Sequence, residues 1–145
     1  MEEIIKNTIK FGNSAGVLLP KRYLNSTVKI TLEPLNIEKD ILDILVEENL
    51  LKNVLGVYIV GSYARKEETF ESDVDVLVIT NNINKKIKTG KYEIICVSKE
   101  EVERQLAENI FPLLPMIKEA TTIINDNLIK EHINSPLTKK ILNGI

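Results

Sequence analysis

The stretch GSYARKEETFESDVD, residues 61–75, constrains the fold of this chain more than any other segment. It begins with a Gly-Ser pair that follows an apolar run, residues 55–60, and it ends with an Asp-x-Asp that opens a second apolar run, residues 74–79. Short apolar runs rich in β-branched residues are typical of buried strands. The pattern therefore predicts a strand, a turn into a short helix, and a second strand that begins at two carboxylates.

The carboxylates of Asp73 and Asp75 point to the same side of the second strand, because side chains alternate between its faces, and their Cα atoms lie roughly 6.6 Å apart. Such a pair supplies the oxygen ligands that hard divalent cations prefer. Gly61 allows a ligand to approach the backbone closely, and a Gly61-Ser62 turn into a helix offers N–H groups and a hydroxyl to phosphate. Exposed acids beside an ordinary turn are the alternative. The combination favours a site for metal-assisted phosphoryl or nucleotidyl transfer.

The whole stretch GSYARKEETFESDVDVLV resembles the pattern GSxARGxxxxxSDxDhxV of the polymerase-β-type nucleotidyltransferase superfamily, and it is most similar to the minimal nucleotidyltransferases. Lys66 departs from the pattern, because the family usually has Gly there; its amine either contacts phosphate or is solvated. The positions that match are Gly61, Ser62, Ala64, Arg65, Ser72, Asp73 and Asp75. The resemblance implies a nucleotide-binding role for Gly61, Ser62, Arg65, Lys66 and Ser72, and a catalytic, metal-binding role for Asp73 and Asp75.

The family also uses a third carboxylate on a later strand, and Glu93 is the candidate here. It lies in the predicted strand KYEIICVS, residues 91–98, which follows a polar, lysine-rich link, residues 81–90. Asp73, Asp75 and Glu93 would then bind two Mg²⁺ ions about 4 Å apart, with ATP as the substrate. The alternative is that Glu93 belongs to the polar face of an edge strand.

These features predict an α/β fold for residues 35–145, a mixed β-sheet flanked by helices as in the polymerase-β-like nucleotidyltransferases. Asn36 is a helix cap, and an apolar face formed by Ile37, Ile41, Ile44 and Leu45 predicts a helix to about residue 53. Ser98 and Glu101 form a predicted capping box for a helix to about residue 109, which the segment FPLLP, residues 111–115, breaks. A last strand is predicted at residues 120–126, and a helix after Pro136.

Residues 1–34 read as a separate, small β-rich element. Residues 1–31 carry five basic and two acidic residues within a chain of net charge −2. Alternation predicts strands around residues 5–11, 17–19 and 28–32, with a turn at residues 12–14 and a helical turn at residues 21–24. So few residues cannot bury a core alone and need the rest of the chain or a second copy.

This element resembles the AbrB/MazE-type DNA-binding fold, in which two chains interleave hairpins into one dimeric barrel. The segment FGNSAGVLLPKRYL followed by VKITLEP carries the resemblance. It implies a homo-oligomer and DNA contacts from Lys6, Lys10, Asn13, Lys21 and Arg22. The alternative is a hairpin that extends the enzyme's own sheet.

The resemblance implies transfer of a nucleoside monophosphate, AMP from ATP, to a protein hydroxyl. Minimal nucleotidyltransferases often act as antitoxins paired with a HEPN-domain ribonuclease, which is therefore the expected partner. No apolar run approaches the length of a membrane span and the first residues do not form a signal peptide, so we expect no membrane and a cytoplasmic location. Two alternatives remain: a nucleotide-binding DNA regulator with weak catalysis, and a small-molecule nucleotidyltransferase of the aminoglycoside-modifying kind.

Overall fold

The computed structural model describes residues 2–69, 71–108 and 113–134. It divides the chain into two compact units, Met1–Pro34 and Leu35–Ile145. Within the described residues, no helix combines the length and the apolar character that crossing a membrane requires.

The first unit contains one short antiparallel hairpin, formed by β1 (Ile9–Phe11) and β2 (Ser14–Gly16). Its turn uses Gly12 at a φ of 54°, a left-handed conformation that glycine adopts without strain. The predicted turn after Phe11 and the helical turn at Lys21–Tyr23 are confirmed, and β1 lies within the first predicted strand, residues 5–11. β2 lies before the predicted second strand, residues 17–19. The hairpin forms a sheet of its own, so it does not extend the larger sheet.

The predicted strands at residues 17–19 and 28–32 are wrong, because both segments are without ladder pairing. A strand needs a neighbour for its N–H and C=O groups, and Pro20 lacks the N–H that would continue the ladder. The unit therefore leaves many large apolar side chains exposed, among them Ile5, Phe11, Leu18, Leu24, Ile30 and Leu32.

The second unit is built on one mixed sheet of five strands in the order β5-β6-β4-β3-β7. β4 runs parallel to β6, and the other neighbours are antiparallel. In chain order its elements are α1 (Ile37–Glu47), β3 (Val54–Val60), α2 (Gly61–Ala64), β4 (Val74–Thr80), β5 (Lys85–Thr89), β6 (Tyr92–Ser98), α3 (Lys99–Ala107), α4 (Leu113–Glu119), β7 (Thr121–Ile124) and α5 (Asp126–Asn134). This architecture confirms the predicted mixed α/β class.

The sheet carries an apolar core on each face. α1 packs on one face, where Ile41 and Leu45 are fully buried against alternate residues of the central strands. α3, α4 and α5 supply the other core, with Val102, Ile117 and Ile129 against the opposite residues of the same strands. β4 is covered on both sides, as its continuous apolar sequence predicts.

The two predicted helix caps are present, although one is only half formed. Asn36 accepts a hydrogen bond from the Lys39 N–H at 3.3 Å, and Ser98 accepts one from the Glu101 N–H at 3.1 Å. In a complete capping box the Glu101 side chain would accept the Ser98 N–H. Here that N–H donates to the side-chain oxygen of Asn84 instead. The sequence pattern thus located both helix starts.

α1 ends at Glu47, about one and a half turns before the predicted end. Asn49 adopts a left-handed φ of 56°, its N–H donates to Val46, and the Leu50 N–H donates to the carbonyl of Leu45. This is a Schellman motif, and the hydrogen bond from Leu50 to Leu45 joins two buried leucines. An asparagine in this role is a weaker sequence signal than a glycine.

The C-terminal half differs from the predictions in three places. The lysine-rich link contains the edge strand β5. α4 begins inside the segment expected to break a helix. The helix tolerates Pro115 because this residue lies in the first turn, where a backbone N–H has no partner within the helix. The last strand is confirmed as β7 but is followed by the unpredicted helix α5. α3 ends at Ala107, within two residues of the predicted end. The helix predicted after Pro136 lies outside the described residues.

We expect Lys66→Gly to stabilise the protein. Lys66 adopts a φ of 58°, a left-handed conformation. Strain there of ~1–2 kcal/mol exceeds the extra unfolded-chain entropy of glycine, ~0.5–1 kcal/mol, so the free energy of unfolding should rise by about 0.5–1 kcal/mol. Denaturant unfolding measures the change. Lys66→Ala removes the same amine but keeps the Cβ, so an equal gain in that variant would contradict the backbone explanation.

Candidate functional site

Gly61 is the residue where β3 passes into α2, and it lies against a carboxylate of the next strand. Its φ is 70°, and a Cβ at this position would lie 2.4 Å from Oδ2 of Asp75. No larger residue fits without moving that carboxylate. Glycine is therefore needed here both for the backbone conformation and for close approach.

Asp75 and Glu93 are paired residues on the two parallel strands β4 and β6. Because the β4–β6 pairing is in register and paired side chains point to the same face, both carboxylates occupy the face that holds α3 and α4, near the end of the sheet beside Gly61. Asp73 lies two residues earlier on the same side of the chain. β6 is an interior strand, so the alternative that placed Glu93 on an edge is wrong.

Negative charge is concentrated at this end of the sheet. Burial raises the pKa of Asp75, and the neighbouring charges of Glu93 and then Asp73 raise it further, while Lys88 and Arg65 oppose the shift. An acid whose pKa rises on folding is less stable in its charged form in the native state than in the unfolded chain. The site thus holds an unfavourable carboxylate charge that a bound cation would relieve.

Lys88 belongs to this cluster, although it was not among the site residues predicted from the sequence. Its Nζ lies 3.1 Å from Oδ2 of Asp73, and its partner across the β5–β6 ladder is Glu93. The hydrogen bond to Asp73, followed by the charges of Asp73, Glu93 and Asp75, raises the pKa of Lys88. The signal was present: KKIKT alternates around Ile87, and Gly90 opens a two-residue turn to β6, which is a hairpin pattern.

Arg65, expected to contact nucleotide, is held by two acids instead. Its Nε lies 3.1 Å from Glu67 and its Nη1 lies 3.0 Å from Glu119 at the end of α4. These hydrogen bonds raise the pKa of Arg65, the Glu67 bond most. In this arrangement Arg65, which follows α2 directly, is bonded to the last residue of α4.

Ser72 orders the loop that leads to the first aspartate. Its Oγ accepts the Thr69 N–H at 2.8 Å, and its own N–H donates to the Thr69 carbonyl at 3.1 Å. Ser62 lies in α2, partly exposed, and its carbonyl accepts the N–H of Glu67 at 2.9 Å, which closes the turn that contains Lys66. The nucleotide contacts assigned to Gly61, Ser62, Arg65, Lys66 and Ser72 stay predictions.

The donor atoms of the cluster suit a hard divalent cation, since they are carboxylate oxygens on a rigid sheet. Across the described part of the chain, however, no three acidic, histidine or cysteine side chains converge closely enough to hold a metal ion as they stand. In this arrangement the carboxylate of Asp73 accepts a hydrogen bond from the ammonium of Lys88. The three candidate ligands are all carboxylates, the ligand type that a hard divalent cation prefers.

The residues expected to contact DNA all lie exposed in the first unit, and their role stays a prediction. They are Lys6, Lys10, Asn13, Lys21 and Arg22. Arg22 is partly engaged within its own unit. Its guanidinium lies over the ring of Tyr23, 4.9 Å from the centroid, and donates to the Tyr23 hydroxyl, which in turn donates to Glu2.

A family described as the nucleotidyltransferase domain matches residues 38–142, which is most of the chain and nearly all of the second unit. The chain belongs to this nucleotidyltransferase domain family. Family membership supports a general nucleotidyl-transfer function, and nucleotidyltransferase domains typically use nucleoside triphosphates and divalent metals. The family resemblance of residues 61–78 is thereby confirmed at the level of the domain.

One solved structure similar to this chain is a nucleotidyltransferase-like protein from Exiguobacterium sibiricum 255-15, with 20% sequence identity and a TM-score of 0.49. The similarity covers 74% of this chain and 39% of that one, so the chain spans well under half the length of the solved protein. No curated protein matches the sequence.

We expect Gly61→Ala to abolish most nucleotide transfer, because its Cβ displaces Asp75 and a displacement of about 1 Å can cost about 100-fold in rate. Gly90→Ala is the matched control, since Gly90 has a similar φ of 57° but open space around its Cβ. Both variants should lose stability in denaturant unfolding, and only Gly61→Ala should lose transfer. Equal activity in the two variants would show that the Gly61–Asp75 contact is unimportant.

Proposed function

We propose that this chain is a Mg²⁺-dependent nucleotidyltransferase that moves AMP from ATP onto a hydroxyl of a partner protein. The partner is a HEPN-type toxin, and the chain acts as its antitoxin. The observation that supports the chemistry best is the pairing of Asp75 with Glu93 on adjacent central strands, next to the close approach of Gly61.

The three carboxylates are assigned to the metal, and the Gly61-Ser62 turn to the triphosphate. Bound divalent cations would lower the pKa of the attacking hydroxyl and offset the charge that develops on the leaving pyrophosphate. A bond forms between the acceptor oxygen and the α-phosphorus, the bond from that phosphorus to the bridging oxygen of pyrophosphate breaks, and the acceptor proton leaves to solvent. Gly61 keeps the space above Asp75 clear, and β4 and β6 fix the separation of their carboxylates.

A protein acceptor is favoured because the cluster is open to solvent. The side chains of Asp73 and Lys88 are 44% and 62% exposed, respectively. Two surface depressions of the second unit lie elsewhere, one around Val46 and Leu51 and one around Lys86 and Gln105. A site that small-molecule substrates use normally encloses most of the ligand, whereas a protruding tyrosine of a partner can reach an open one.

Intact-mass spectrometry of the chain co-expressed with a HEPN-domain partner tests this function. We expect the partner to become one AMP heavier when the chain is wild type. The double variant Asp73→Asn, Asp75→Asn should give no adduct and should unfold at a higher denaturant concentration in chelator, because two repelling charges are removed.

Three other outcomes would contradict the proposal. An adduct with the double variant would exclude these aspartates from catalysis. Transfer to a free small molecule instead of the partner would favour the antibiotic-modifying alternative. ATP binding without transfer to any acceptor would favour the regulatory alternative.

We also propose that residues 1–34 join two chains and bind DNA. The supporting observation is the set of exposed apolar side chains around a hairpin of two three-residue strands, which cannot be stable alone. Light scattering after size exclusion should show a dimer for the full chain and a monomer after residues 1–34 are deleted. DNA affinity of the full chain should fall steeply with salt. A full-length monomer would contradict both the dimer and the interleaved fold.

A further inference from the structure

Lys88 lies in a row of charged residues that crosses three neighbouring strands. On the edge strand β5 it pairs with Glu93 of β6, which pairs in turn with Asp75 of β4. Paired residues on adjacent strands point to the same face. One cationic side chain thus stands at the end of a row of two carboxylates.

The ammonium of Lys88 reaches across this row to a third carboxylate. Its Nζ lies 3.1 Å from Oδ2 of Asp73, which precedes β4. The Lys88 side chain therefore lies at the end of the sheet, and on the face, that carry all three acids assigned to the metal, and it contacts one of them directly.

We propose that Lys88 is a tethered counter-cation of the carboxylate cluster, and that a divalent cation must displace its ammonium from Asp73 in order to bind. This inference rests on the proposed function, which makes the cluster the metal site. It also explains why three carboxylates tolerate one another in the metal-free protein: Lys88 offsets part of their repulsion.

The ion pair has the properties that displacement requires. Both side chains are substantially exposed, and an exposed ion pair contributes little stability, typically under about 1 kcal/mol. A divalent cation carries twice the charge of an ammonium and can accept several carboxylate oxygens at once. The lysine is thus held firmly enough to lower the affinity for free cations and weakly enough to leave.

The same strand supplies a matched control. Lys85 is three residues from Lys88 and points to the opposite face, where its Nζ lies 2.9 Å from Glu48. Neutralising Lys85 changes the net charge of the protein and of β5 by the same amount. It does not alter the charges that face the carboxylates.

Calorimetric titration of the full chain with Mn²⁺, without nucleotide, tests the proposal. Lys88→Met keeps the aliphatic stem of the side chain but removes its charge, and it should bind Mn²⁺ about five-fold more tightly than wild type. This factor is what the removal of one positive charge a few ångströms from the ion should give in a largely aqueous, salt-screened site. Lys88→Gln should behave in the same way. Lys88→Arg, which keeps the charge, and Lys85→Met should match the wild type.

Unchanged or weaker Mn²⁺ affinity in both Lys88→Met and Lys88→Gln would overturn the proposal, as would equal tightening in Lys85→Met. Asp75→Asn distinguishes a failure of the proposed Lys88 role from a failure of the proposed metal-dependent function. If wild type binds Mn²⁺, Asp75→Asn does not, and Lys88→Met has no effect, then only the role of Lys88 fails. If no variant and no wild-type protein binds Mn²⁺, the metal-dependent function fails together with it.

Discussion

Seven consecutive residue pairs join β4 to β6 in parallel, from Val74 opposite Tyr92 to Thr80 opposite Ser98. This ladder lies at the centre of the sheet, and both cores are built on its two faces. A slip of one residue would move every apolar side chain of a strand to the wrong face, so burial fixes the register. The same register sets Asp75 beside Glu93. The apolar packing that stabilises the fold therefore also assembles the candidate site.

Placing these carboxylates side by side makes their negative charges repel, and neighbouring residues reduce that repulsion. Burial and two neighbouring acids raise the pKa of Asp75, so its ionised form is destabilised in the folded protein. Lys88 from the edge strand opposes this repulsion, and Gly61 leaves room for the Asp75 side chain. The cluster therefore carries an unfavourable negative charge that the ammonium of Lys88 partly offsets.

Local signals in the sequence were reliable where a single residue type has one physical role. Asn36 and Ser98 were identified as caps because their side chains accept backbone N–H groups. The prediction failed where the outcome depended on partners far along the chain. β5 was read as a link because three of its five residues are lysine, yet an edge strand tolerates lysines on its solvent-facing positions. The predicted strands in the first unit found no neighbour with which to pair.

The sequence by itself determined the family and supplied Asp73 and Asp75 as candidate site acids, because the spacing from Gly61 to Asp75 and the continuous apolar run of the following strand are local properties. Only the tertiary structure decided which charges face one another. Glu93 became a neighbour of Asp75 through a parallel pairing across 18 residues of chain, and Lys88 joined them through a hairpin at the sheet edge. Electrostatic interactions act through distances in space, and those distances are set when the sheet closes its ladders and buries its two cores.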